Sequence, residues 1–319
     1  MEFKSPMYFT ETVHSPVPKI CEEEEVLIGI DEAGKGPVFG PMVYATCYCP
    51  ISKIETLNSL GFADSKTLKE QERNDLFEVI NKNSDIFGWM ATACSPQDIS
   101  KHMLRKNKYN LNQFAHDTTI DLINNVLKLK VKVKEVYIDT VGPASTYQMK
   151  LKNFFPNLKI TVETKADSKF PIVSAASICA KVNRDNLIHN WKFIENKEFF
   201  GEKGSGYPGD PKTKEWIKKH CDKVFGFPGL VRFSWSTCEN YLLENSYTVN
   251  WPDEEEKDIK NKNGKKGKRV SKNSLEAFMK QNEKKIKSSN KEPLNEKETS
   301  FLDEKKKILN LSLTSVTSL

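Results

Sequence analysis

The sequence predicts an α/β fold in which helices flank one mixed β-sheet. Three observations lead there. Short apolar runs bounded by turn residues recur through the first two thirds of the chain. Strand-like runs come first and then alternate with helix-like segments, the order expected of a mixed sheet. Two of the apolar runs end in carboxylates. The chain has 319 residues, of which 38% are hydrophobic and 29% charged, enough for one large domain or two ordinary ones.

The first strand is read at 25–31 (EVLIGID), a short apolar run that ends in acid and is soon followed by glycine. The second is 41–49 (PMVYATCYC) and the third 85–94 (DIFGWMATAC), with helical spacing between them over 69–81 through Leu76, Val79 and Ile80. A longer helix is expected over 110–129, with Phe114, Ile120, Ile123, Val126 and Leu127 on its apolar side. Residues 134–139 (KEVYID) form a strand that again ends in acid; 143–155 reads as a helix and 158–164 (LKITVET) as a strand. Residues 174–184 form a helix of small side chains suited to close packing, and 188–199 and 212–221 complete the helices. No internal repeat is visible.

Composition limits the function classes. No run approaches the roughly 18 consecutive apolar residues of a membrane span, and the N-terminus lacks the apolar core of a secretory leader. A soluble, intracellular protein is expected. The seven cysteines are scattered without a C-x-x-C pair, so neither a disulfide framework nor a zinc site follows; Cys47 and Cys49 read as buried thiols. The net charge of +6 resides mostly in residues 251–319, which hold 17 Lys and Arg against 12 Asp and Glu. Nucleic-acid binding by the body would have to come from local patches. That last stretch, with its acidic run at 253–256, its basic run at 262–269 (KNGKKGKR) and its few aromatics, has the composition of a disordered tail from about residue 252 to 299. Apolar residues return at 301–313 as a candidate docking segment, and the basic run is a candidate nuclear import signal. The domain reading is an N-terminal extension at 1–24, a catalytic domain with a helical C-terminal part at 25–250, and a mostly disordered charged tail at 251–319.

The acids carry the chemistry. Asp31 and Glu32 end one strand and Asp139 another, and ligands gather outside the carboxyl ends of strands in open α/β sheets. Asp167 lies between a strand and the small-residue helix. A single Asp at a strand end is usually a cap or turn residue. Four carboxylates brought together would repel one another, and hard divalent cations, Mg²⁺ or Mn²⁺, relieve that repulsion. Two such ions can activate a water and stabilise a leaving oxygen in phosphodiester hydrolysis. Gly34, Lys35 and Gly36 follow, two glycines around a cation. Their spacing fits neither a P-loop nor a dinucleotide fingerprint, but glycine admits close backbone approach and lysine offers a point charge for phosphate.

The stretch DEAGKGPVFGPMVYA at 31–45 resembles the opening motif of the type 2 ribonucleases H. DSKTL at 64–68, YIDTVGP at 137–143, KADSKFPIVSAASICAKVNRD at 165–185, GSGYPGDPKT at 204–213 and FGFPGLVRFSW at 225–235 are similar to further motifs of that family. The last two look like its eukaryotic catalytic subunit. The resemblance spans roughly 25–245 and leaves the tail uncovered. It implies a ribonuclease H-like fold and two divalent ions on Asp31, Glu32, Asp139 and Asp167 as the catalytic and metal-binding acids. It further implies that Gly34, Lys35 and Gly36 grip ribose and phosphate at a DNA–RNA junction and that Tyr207 stacks on the sugar after the scissile ribonucleotide. Ser65, Lys66, Ser174 and Lys181 fall in segments that meet backbone phosphates. Lys35 departs from the usual arginine of that loop. The expected reaction is hydrolysis of the RNA strand of RNA–DNA hybrids and a nick 5′ of single ribonucleotides in duplex DNA, leaving 3′-hydroxyl and 5′-phosphate ends. The resemblance also implies a nuclear heterotrimer with two non-catalytic subunits, acting in ribonucleotide excision and primer removal. Two other readings stand beside it: a resolvase-like metal nuclease, and a non-catalytic protein that only binds nucleic acid.

Overall fold

The computed structural model describes residues 3–62, 68–105, 109–195 and 199–247. Its centre is a six-stranded sheet made of β1 (Glu11–His14), β2 (Val26–Ala33), β3 (Met42–Pro50), β4 (Gly88–Cys94), β5 (Val133–Asp139) and β6 (Lys159–Glu163). The order across the sheet is β1-β4-β3-β2-β5-β6. The pairs from β1 to β2 are antiparallel, whereas β2–β5 and β5–β6 are parallel, so the sheet is mixed as the sequence predicts.

The helices are α1 (Ile20–Glu23), α2 (Ile54–Ser59), α3 (Glu70–Lys82), α4 (Pro96–Met103), α5 (Leu111–Lys128), α6 (Ala144–Phe154), α7 (Ala166–Lys169), α8 (Pro171–His189), α9 (Pro211–His220) and α10 (Ser236–Asn245). Alternation along β2 sends Ile28 and Ile30 to the face covered by α5 and α6, and Leu27 and Ala33 to the face covered by α8. On that second face a side chain at Gly29 would place its Cβ 2.2 Å from the Ile172 carbonyl oxygen. The missing side chain lets α8, lined with Ala175, Ala176 and Ala180, lie flush on the sheet. A third apolar cluster joins Val38 and Phe39, just after β2, to Trp216, Phe227, Leu230 and Val231 of the helical C-terminal part.

Several expectations change. The N-terminal segment contributes β1 at the sheet edge, although the sequence pattern predicts no strand before residue 25. Four residues are too few to show a period. Helix α4 is also absent from the sequence reading, yet Ser95 caps it by accepting from the Asp98 amide, and Pro96 sits in its first turn. The helix predicted at 188–199 does not form among the described residues. Helix α8 runs to His189 and is closed by the Asn190 amide, which bonds back to the Asn186 carbonyl. Trp191 and Phe193 then pack against the third cluster from an irregular segment, so their apolar character reports tertiary contact and not helical period. All seven cysteines are free, and six of them are buried. No described helix is long and apolar enough to cross a membrane. The predicted tail and its segment at 301–313 lie outside the described residues.

Candidate active site

Strands β2 and β5 are parallel neighbours in register from Ile30 with Ile138, so Asp31 and Asp139 come to adjacent carboxyl ends of the sheet. Asp31, Glu32 and Asp139 each offer a carboxylate oxygen, and these oxygens lie within 4.8 Å of one another. Asp31 is buried on the α8 side, where it accepts hydrogen bonds from the Glu32 amide at 2.7 Å and from the Ser177 hydroxyl. Burial pushes its carboxyl well above the usual range, and the charges of Glu32 and Asp139 push it further; the two donors oppose this. Glu32 points to the opposite face and pairs in register with Tyr44.

Asp167 is not part of this group of three among the described residues. It is buried in α7 one residue beyond Ala166, whose amide donates to Asp139 Oδ1 at 2.8 Å. That bond ties the α7 turn to the acid cluster. Lys165, which starts the turn, adopts a left-handed conformation with φ of 53°.

The loop after β2 is held from behind. Arg232 is wholly buried, and its guanidinium donates to the carbonyls of Gly40 (2.8 Å), Lys35 (3.2 Å) and Gly34 (2.6 Å). It lies 4.9 Å over the Trp235 ring, and Trp235 Nε1 donates to the Gly36 carbonyl at 3.0 Å. Burial lowers the Arg232 pKa to about 9, the mark of a cation held by carbonyl dipoles without a carboxylate partner. In a trans peptide the N–H points opposite to the preceding C=O. With the carbonyls of Gly34 and Lys35 turned to Arg232, the amides of Lys35 and Gly36 therefore point away from it. Neither amide has a partner within the chain among the described residues. Gly34 has φ of +82°, and a Cβ there would lie 2.1 Å from Arg184 Nε, so only glycine fits.

Tyr207 closes the other side of the loop. Its ring edge would be 3.1 Å from a Cβ at Gly36, and 55% of the residue is exposed. The turn beneath it is stiff: Asp210 accepts from both the amide and the hydroxyl of Ser205, and Gly206 N–H donates to Thr213 Oγ1 at 2.9 Å. The Ser205 donors draw the Asp210 carboxyl down to about 2. Of the remaining predicted residues, Ser174 is fully buried in α8 and Lys181 is half-buried on the same helix. Ser65 and Lys66 lie outside the described residues. Sequence reasoning does not find Arg232, Trp235 and Ser177 as site residues. The first two sit in the motif at 225–235 and the third in that at 165–185, but motifs alone do not say which side chain touches the loop.

The chain matches the ribonuclease HII family over residues 28–238. It is 51% identical to the catalogued A-type polypeptide of ribonuclease H2 from Bos taurus over 247 residues, which cover 77% of this chain and 83% of that protein. The corresponding ribonuclease H2 polypeptide of Homo sapiens is 50% identical over 240 residues, covering 75% and 80%. Among solved structures, the ribonuclease H2 of Pyrococcus horikoshii OT3 superposes with a TM-score of 0.58 at 32% identity, covering 69% of this chain and 98% of that one. The strand order, the acids at the strand ends and these likenesses agree: the chain belongs to the ribonuclease HII family and is a ribonuclease H hydrolase.

Proposed function

We propose that the chain is the catalytic subunit of an endoribonuclease that cuts the RNA strand of RNA–DNA hybrids and nicks 5′ of single ribonucleotides in duplex DNA. The observation that carries this reading is the juxtaposition of three crowded carboxylates with a loop whose two amides are aimed away from a buried arginine clamp.

The donor set suits hard divalent cations. All three groups are carboxylates, and their mutual repulsion raises the affinity of Asp31 for a proton; a cation relieves the same repulsion. Asp31, Glu32 and Asp139 would hold such ions, with Asp167 completing the set from the turn tied to Asp139. A pair of Mg²⁺ or Mn²⁺ ions supplies a water that is nucleophilic at neutral pH and charge to neutralise the leaving oxygen.

The protein's own part is positioning. The Lys35 and Gly36 amides would grip a phosphate and the 2′-hydroxyl of the ribonucleotide, the group that separates RNA from DNA at one position. Lys35 adds a point charge. Tyr207, exposed on its braced turn beside Gly36, would stack on the following sugar and exclude substrates that lack the junction. Lys181, with Ser65, Lys66 and Ser174 in the neighbouring motifs, belongs to the segments assigned to backbone phosphates. Cleavage on the 5′ side would leave a 3′-hydroxyl and a 5′-phosphate.

The relatives are named as one lettered subunit of ribonuclease H2, which supports an assembly with further chains. That assembly is read as a nuclear heterotrimer with two non-catalytic subunits, serving ribonucleotide excision and primer removal. The test is end-mapping of products from a labelled duplex carrying one ribonucleotide, beside a hybrid and an all-DNA duplex, with the partner subunits present. A single cut just 5′ of the ribonucleotide supports the proposal. Cutting of the all-DNA duplex would replace it with a resolvase-like activity, and silence on every substrate would leave a binding role.

A further inference from the structure

Asp139 is the last residue of β5, and beyond it the chain leaves the sheet through a turn at 140–143. One carboxylate oxygen is fixed from the α7 side by the Ala166 amide. On the other side the turn rests on α5. His116 Nε2 lies 2.9 Å from the Val141 carbonyl oxygen. A carbonyl only accepts, so Nε2 carries the proton and donates. The imidazole is held by its face as well: it stacks on the Tyr147 ring of α6 with centroids 3.8 Å apart and planes 10° from parallel. Tyr147 is itself buried. A neighbouring brace reinforces the same helix pair, since Asp117 accepts from Tyr109 Oη at 2.6 Å and from Lys150 Nζ at 2.8 Å, which joins α5 to α6. Gly142, left-handed at φ +84°, brings the turn against α5, where a Cβ would lie 3.5 Å from Asn112 Nδ2.

We propose that His116 is a positioning residue for Asp139: its Nε2 hydrogen bond to the Val141 carbonyl, with the ring clamped on Tyr147, fixes the turn that aims the Asp139 carboxylate at the cation site. The inference rests on the reading of Asp139 as a metal ligand. Nothing in the sequence pattern flags His116, because it sits on the partly apolar face of an ordinary amphipathic helix.

The test compares two side chains of nearly equal length in the full chain, His116→Gln and His116→Met. Both lose the stacked ring, but only glutamine keeps a terminal N–H donor. Mn²⁺ binding is read by calorimetry, beside the melting temperature of the metal-free protein. Loss of the donor should weaken Mn²⁺ binding about tenfold in His116→Met, the lower end for groups that orient metal ligands, while His116→Gln stays near wild type and the two variants melt together. Equal Mn²⁺ affinity in the two variants would overturn the inference. His116→Phe, which keeps the ring and loses the donor, should follow His116→Met; if it binds like wild type, the stack and not the hydrogen bond sets the turn and the inference fails. Asp139→Asn serves as the reference: if it binds Mn²⁺ as wild type does, the metal-ligand reading itself falls, a result distinct from failure at His116 alone.

Discussion

Replacing Arg232 by lysine probes the clamp behind the substrate loop. Arg232 is fully buried, and its planar fork serves the carbonyls of Gly34, Lys35 and Gly40 at once. A lysine ammonium keeps the charge but not the fork, so it reaches one of these oxygens and abandons two. A buried acceptor left without its donor costs about 1–3 kcal/mol, which for two gives about 2–5 kcal/mol. In a domain of this size each kcal/mol moves the melting temperature by about 2–4 °C, so Arg232→Lys should melt about 5–15 °C lower. The functional loss should exceed the stability loss. With the carbonyls released, the Lys35 and Gly36 amides lose their aim, and a displacement near 1 Å costs about 100-fold in rate. Thermal melts would be paired with kcat/KM on a duplex carrying one ribonucleotide, measured well below the melting transition of the variant. An unchanged melting temperature with unchanged kcat/KM would refute the clamp.

Four further outcomes follow from the same geometry. Gly34→Ala forces a left-handed φ on a residue with a Cβ and drives that Cβ onto Arg184; strain of about 1–3 kcal/mol should appear in urea melts. Lys35→Arg should change kcat/KM less than about threefold, because the loop acts through its amides; a large gain would show that a bidentate side chain was missing. Tyr207→Ala should leave stability unchanged, since the ring is largely exposed, yet weaken binding of the junction duplex by about 1–3 kcal/mol in titrations. Asp31 has a folded-state pKa above its unfolded value, so the metal-free native state binds more protons between those two values and loses stability as pH rises through that window. Asp31→Asn should therefore raise the metal-free melting temperature at neutral pH and flatten its pH dependence, and a lower melting temperature would contradict the crowding argument.

The layout of the sheet was legible because its strands are buried and apolar along their length. Helix α8 was legible for a related reason: a run of small residues makes sense only where a helix lies against a sheet, as Gly29 and Ala176 show. The edge strand β1 was not, since its four residues are held by pairing to β4 and carry no period of their own. The aromatic residues Trp191 and Phe193 misled the helix assignment because apolar side chains in an irregular segment look like a helical stripe until the third cluster is known. Within the site, the acids at strand ends were readable from the pattern of apolar run and carboxylate. The convergence of Asp31, Glu32 and Asp139 depends on the parallel pairing of β2 with β5, across more than 100 residues of sequence, which no local pattern specifies. Arg232 and His116 were hidden for the same reason: each acts on a carbonyl remote in sequence, Gly34 for one and Val141 for the other.

The most direct test of the central claim is nucleotide-resolution mapping of cleavage on a duplex with one ribonucleotide, titrated with Mg²⁺ or Mn²⁺, for wild type and Asp31→Asn. The carboxylate cluster predicts a cut 5′ of the ribonucleotide that vanishes without metal and falls by more than about 100-fold in Asp31→Asn, beyond the loss typical of groups that only support a ligand. Cleavage that persists in metal-chelated wild type, or in Asp31→Asn at the wild-type rate, would contradict it.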